Sequence, residues 1–204
     1  MDLKSTYNRI AEDWLKDHHE DMWWIDGTDM FISFLKSGAL VLDVGCGAGV
    51  SARYLLDRGL SVVGVDFSEK MIEIAKREVP DAIFRIADIK DLSGIVKSFD
   101  GIFARAVLLH VPKSEAGEVI KGLRDKLLVG GYMYIAVKGV RENGKEEEIV
   151  KENNYGYEYE RFFSYFTLLD IQRYVADVGM EICYENVTLS GHTTWIQVIC
   201  RKIK

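Results

Sequence analysis

The sequence predicts an α/β fold built on a mostly parallel sheet, and three observations carry that prediction. Short apolar runs alternate with helix-period segments from residue 40 to residue 138. The first run ends in an acid followed by glycines on alternate positions, Asp43-Val44-Gly45-Cys46-Gly47-Ala48-Gly49. The next run, Leu60-Ser61-Val62-Val63-Gly64-Val65, ends in a second acid, Asp66. Open α/β sheets bind ligands beyond the carboxyl ends of their strands. Two strands that each end in an acid beside a glycine turn therefore point to a nucleoside pocket.

The elements follow in order. Tyr7, Ile10, Ala11, Trp14 and Leu15 recur at three- and four-residue steps and make one face of a first helix. Met30, Phe31, Phe34 and Leu35 do the same for a second. Then come a strand at 40–44, a helix at 50–58, a strand at 61–65, a helix at 69–78 and strands at 82–86 and 99–104. A helix at 114–128 and a strand at 132–138 complete the alternation. The two prolines, Pro80 and Pro112, fall at turns. Residues 168–178 read as a helix, and 180–187 and 194–200 as two strands joined by Leu189-Ser190-Gly191-His192.

The glycine turn discriminates among nucleotide sites. A dinucleotide turn, G-x-G-x-x-G/A, needs a small third residue, and Val50 stands there. A phosphate-cradling P-loop needs Lys and Ser/Thr after its last glycine, and neither follows Gly49. The remaining pattern, D-x-G-x-G-x-G, resembles motif I of the class I S-adenosylmethionine-dependent methyltransferases. Four further segments stand in that family's order: Val63 to Ser68, Phe84 to Ile89, Phe99 to Pro112, and Leu127 to Val137.

The resemblance implies a Rossmann-like, seven-stranded, mostly parallel sheet with a final antiparallel strand, helices on both faces and an N-terminal helical cap. It implies S-adenosylmethionine as cofactor, with S-adenosylhomocysteine as product. Asp43 would favour the cationic end of the methionine moiety, and Gly45, Cys46, Gly47 and Gly49 would form the loop under it. Asp66 would accept hydrogen bonds from both ribose hydroxyls, and Phe67 and Met71 would flank the adenine, although Met71 equally suits a helix core. Asp88 would take the adenine amino group with Ile89 packed on the ring; the plain alternative for Asp88 is a turn acid. Backbone near Ala104 and Arg105 would face the transferring methyl. The opening Tyr7-Asn8-Arg9-Ile10-Ala11-Glu12-Asp13-Trp14 resembles the first helix of many small-molecule methyltransferases, which places Tyr7 near the methionine end. His110 is a candidate base or a helix-start residue. Trp23 and Trp24 suit either an acceptor pocket or packing between cap and core.

Composition sets outer bounds. A chain of 204 residues suits one domain, divided here into a cap (1–37), a cofactor-binding core (38–138), a substrate-facing lid (139–167) and a C-terminal helix and hairpin (168–204). No apolar run approaches the roughly 20 residues that span a bilayer. Three dispersed cysteines, Cys46, Cys183 and Cys200, point to a reducing cytoplasm and to no metal site. A formal charge of −6 disfavours broad phosphate-tracking surfaces, so nucleic acid is not the expected partner. Residues 141–160 hold seven acids (Glu142, Glu146, Glu147, Glu148, Glu152, Glu158, Glu160) and three bases, and an aromatic run to Phe166 begins within them at Tyr155. That segment reads as the lid, or as a solvated charged helix at 141–152 followed by core aromatics. Carboxylates and aromatic faces attract ammonium groups, so the acceptor is expected to be a neutral or cationic small molecule. A tRNA or protein methyltransferase of the same fold, or a module that binds the cofactor without turnover, are the alternatives.

Overall fold

The computed structural model describes residues 2–18, 21–141 and 144–204, and among the acids counted above Glu142 lies outside them. The described residues form six α-helices and nine strands. In chain order these are α1 (Leu3–His18), α2 (Ile25–Ser33), β1 (Leu40–Val44), α3 (Val50–Asp57), β2 (Ser61–Asp66), α4 (Glu69–Glu78), β3 (Ile83–Ile86) and β4 (Phe99–Arg105). They continue with α5 (Lys113–Lys126), β5 (Leu127–Lys138), β6 (Glu147–Glu152), β7 (Tyr159–Ser164), α6 (Leu168–Asp177), β8 (Met180–Ser190) and β9 (Thr193–Lys202).

Seven strands make one sheet in the order β3-β2-β1-β4-β5-β9-β8. β9 alone runs against its neighbours, β5 and β8. The expected seven-stranded, mostly parallel sheet with a last antiparallel strand is therefore the observed one. Central strands such as β1 read as continuous apolar runs because both faces are covered. One face packs on α2, α3 and α4 through Phe31, Ala52, Leu55, Ile72 and Ala75. The other packs on α5 and α6 through Ile120, Leu123, Ile171 and Val175. Each fully buried aliphatic side chain contributes about 1.5–3 kcal/mol, so the sheet is a stiff platform for whatever its edge carries.

Two expectations need correcting. The helix expected at 114–128 stops at Lys126, because Leu127 turns extended (φ −80°, ψ 142°) and pairs with Phe99 of β4. In the acidic stretch expected as a helix at 141–152, the described residues 144–152 are not helical. Glu147–Glu152 form β6, which pairs antiparallel with β7 from Glu147↔Ser164 to Glu152↔Tyr159. Glutamate-rich sequence favours helix only weakly, and the cross-strand aromatic partners override that preference.

Candidate active site

The four parallel strands at the sheet centre end on one edge, and each brings a polar group there. β1 runs into the Gly45 turn, β2 ends at Asp66, β4 at Arg105 and β5 at Lys138. Strand order reverses between β1 and β4, which is where open α/β sheets open a crevice. A cleft of about 860 Å³ lies over this edge.

The glycine turn explains its own composition. Gly45, Gly47 and Gly49 have φ of +67°, +51° and +89°, a region that L side chains rarely enter. A Cβ on Gly45 would overlap the Cγ2 methyl of Val107, so this residue is small to let the turn after β4 pack against it. At Gly47 the nearest atom would be 3.6 Å away, on Trp14, and its bare face lines the cleft instead. Asp66 fastens the turn. Its Oδ2 accepts the Gly47 N–H at 3.0 Å and its Oδ1 the Ser68 N–H at 2.9 Å. Burial lifts its pKa to about 6 against the pull of those two N–H groups.

Asp43 sits one layer deeper, 1 % exposed, and does not line the cleft. Its Oδ2 has no hydrogen-bond partner among the described residues. Burial raises its pKa to about 7, partly offset by the charge of Arg105. A buried carboxylate without a partner is costly, and a cation arriving at the turn would relieve that cost.

Helix α1 closes the cleft from above. Tyr7 donates its hydroxyl proton to His110 Nε2 at 2.7 Å. The assignment follows from the other ring nitrogen, which lies 2.7 Å from the Phe162 carbonyl oxygen and must carry the hydrogen. Burial holds His110 far below its usual range, at about 3, so it is neutral. Arg161 of β7 approaches the Tyr7 oxygen at 3.4 Å and is clamped by both carboxylate oxygens of Glu152 at 2.6 Å. The hairpin tip is tied to α1 by Tyr157, which donates to Asp13 at 3.0 Å while Arg9 lies over its ring. Asn8 fixes the other side of α1, accepting from Ser68 Oγ and the Lys70 N–H.

Of the residues singled out in the sequence, Tyr7, Gly45, Cys46, Gly47, Asp66, Phe67, Met71, Arg105 and His110 line this one cleft, and so does Trp23. Others do not. Ala104 is fully buried within β4, and Gly49 is a turn position packed against Val79 and Ala75. Asp88 is an exposed turn acid accepting the Lys90 N–H, and Ile89 packs toward the α5 face. Trp24 is core, 3 % exposed. Cys46 is buried with its thiol pushed well above the ordinary value, which suits a small filler rather than a nucleophile.

Sequence reasoning missed Lys138 and Trp195, which line the cleft together with Phe163 of the expected lid segment. They come from strands separated in sequence, so no spacing marks them. Ala106 also lines it, with φ of +55°. A non-glycine residue in that region costs roughly 1–2 kcal/mol, and such strain gathers at functional sites.

Residues 41–131 match the family described as methyltransferase domain. Over 110 residues the chain is 36% identical to a trans-aconitate 2-methyltransferase of Variovorax paradoxus, a match covering 53% of this chain and 42% of that protein. Over 103 residues it is 34% identical to a ubiquinone biosynthesis O-methyltransferase of Coxiella burnetii, covering 48% and 43%. The chain thus aligns with less than half the length of either relative. Among solved structures, the 1,6-didemethyltoxoflavin-N1-methyltransferase of Burkholderia thailandensis, with S-adenosylhomocysteine bound, superposes with a TM-score of 0.78 at 18% identity, covering 99% of this chain and 88% of that one.

The chain has the class I S-adenosylmethionine-dependent methyltransferase fold.

Within that methyltransferase fold, the acids of residues 146–160 do not face the cleft. Glu146 pairs with Lys113 at 3.2 Å, and Glu147 accepts the Lys113 N–H at 2.6 Å. Glu148 is shared by Arg141, Lys145 and the Tyr165 hydroxyl. Besides Asp66, one acid, Asp21, and three bases, Arg105, Lys138 and Arg161, line the cleft. The expectation of a neutral or cationic acceptor rested on those carboxylates and on aromatic faces; the carboxylates are engaged elsewhere, while the aromatic faces of Trp23, Phe163 and Trp195 do line the cleft. Among the described residues no helix is long and apolar enough to cross a membrane, and no group of three or more His, Cys, Asp or Glu could hold a metal ion.

Proposed function

We propose that the chain transfers a methyl group from S-adenosylmethionine to a small molecule. One observation carries this reading. A single cleft joins an acid-and-glycine edge to an aromatic, basic wall, so a cofactor and a second molecule can lie end to end. The donor set suits the cofactor: a buried carboxylate short of a partner, a second carboxylate at the next strand end, and a turn whose bare glycine face allows close approach. When bound, S-adenosylmethionine supplies a methyl group on an electron-poor sulfonium.

The chain's own residues bind, orient and exclude water. Asp66 holds the ribose hydroxyls, Asp43 favours the ammonium behind the turn, and Phe67 and Met71 border the adenine. Tyr7 faces the methionine end, and His110 acts as its positioning residue by accepting its hydrogen bond and fixing its ring. Helix α1 serves as the cap and the β6–β7 hairpin as the lid. Together they desolvate the acceptor, which is the main demand when the electrophile is already activated. Three separate thiols, Cys46, Cys183 and Cys200, suit the cytoplasm.

Incubating the protein with S-adenosylmethionine and a small-molecule cell extract tests the reading. S-adenosylhomocysteine should accumulate only when the extract is present. Tight cofactor binding with no product in any extract would leave a binding module instead.

A further inference from the structure

We infer that the far end of the cleft selects an acceptor bearing a negative charge on a flat, unsaturated frame, with Lys138 as the residue that recognises the charge. The inference rests on the methyl-transfer reading above and names its substrate class.

Three observations carry it. The first is charge. Among the described residues, the Lys138 ammonium makes no ion pair within 4.0 Å and no hydrogen bond, the acid acting on it being Glu152, which is clamped on Arg161; it lies over the Phe163 ring at 4.1 Å and near that of Trp195 at 5.9 Å. The other two cations are occupied. Arg161 is clamped by Glu152, and Arg105 donates to Ser51 Oγ at 2.8 Å and lies over the Trp24 ring. A half-buried lysine facing aromatic walls has lost water without gaining an anion, so an anion entering the cleft is favoured there. Burial and the nearby Arg161 and Arg141 draw its pKa down to about 8, which leaves it mostly charged at neutral pH.

The second is position. Lys138 ends β5, three strands from β2, which carries Asp66. At about 4.8 Å between strands, that is roughly 14 Å from the nucleoside end. Its cross-strand partner is Trp195, which stacks on Trp23 at 3.6 Å and 7°. With Phe163 they give the cleft an aromatic wall beside Lys138, a surface that suits a flat, unsaturated frame.

The third is that His110 is not free to act as a base. Both His110 nitrogens are engaged, by Phe162 and by Tyr7. An acceptor that arrives as an anion, such as a carboxylate or a phenolate, has no proton to surrender.

The test divides a small-molecule extract by ion exchange into anionic, neutral and cationic pools before each meets the protein and methyl-labelled S-adenosylmethionine. Label should enter the anionic pool. Lys138→Met should lower that rate about ten- to a hundredfold, and Lys138→Arg should recover most of it. S-adenosylhomocysteine affinity, measured by calorimetry on the same variants, should change less than about twofold, which also shows that they fold. Label in the neutral or cationic pool, or an undiminished rate in Lys138→Met, would overturn the assignment. No label in any pool, with the cofactor product still binding, would overturn the methyl-transfer reading and this inference with it.

Discussion

Asp66 holds the glycine turn and faces the cleft with the same carboxylate, so its loss is felt twice. Charge-assisted hydrogen bonds contribute roughly 1.5–3 kcal/mol. Asp66→Ala should weaken S-adenosylhomocysteine binding about ten- to a hundredfold, read by calorimetric titration; an unchanged affinity would remove Asp66 from the site. The two buried acids also set a pH dependence. Burial raises Asp43 to about 7 and Asp66 to about 6, above their ordinary 3.8. A raised folded value means that each group's contribution to stability is full below pH 4 and lost as the pH climbs through 6 and 7. A ligand that brings an ammonium and ribose hydroxyls favours the ionised forms. Binding should therefore expel protons near pH 6 and tighten toward pH 7.5. Calorimetry in buffers of different ionisation enthalpy would show this, and buffer-independent heats at pH 6 would contradict it. Gly45 supplies a third test. Gly45→Ala meets both a left-handed φ and the Val107 methyl, and should cost about 2–4 kcal/mol in denaturant unfolding. Adding Val107→Gly, which removes both the Cγ2 and the Cβ that the new methyl would meet, should return only the share due to overlap.

At the scale of elements, one largely buried ion pair links the two strands of the β6–β7 hairpin. The Arg161 and Glu152 side chains are 13% and 16% exposed. Breaking such a pair leaves a charge with little solvent, whereas removing both partners does not. Arg161→Leu should destabilise the protein by about 3 kcal/mol, and the Arg161→Leu, Glu152→Leu double variant by clearly less. Equal losses in thermal unfolding would mean that the pair does not organise the hairpin. This element was also the least legible in the sequence. Glu146, Glu147 and Glu148 look like a solvated face, and nothing local says that Ile149 and Val150 will pair with Phe162 and Arg161. The glycine turn and its flanking strands were legible because every residue from Leu40 to Gly49 answers to a local rule: apolar run, strand-end acid, positive φ. Lys138 was not, because its meaning comes from Trp195 across the strand and Phe163 across the cleft.

Across the whole molecule, the sheet order that reverses between β1 and β4 gathers four strand ends at one edge. The alternation of strands and helices foretold that edge, while the walls opposite it depend on chain returning from β7 and β9. A ligand that seats the edge, cap and hairpin together should stabilise the fold as a unit. S-adenosylhomocysteine at about one hundred times its dissociation constant should add roughly 2.7 kcal/mol and raise Tm by about 5–10 °C. The net charge of −6 argues against a long phosphate backbone as the second partner. The most direct measurement follows labelled methyl from S-adenosylmethionine into an unfractionated cell extract, with products separated into small molecules, RNA and protein. Label in the small-molecule fraction is the predicted result; label confined to RNA or protein would contradict the acceptor assigned to this cleft.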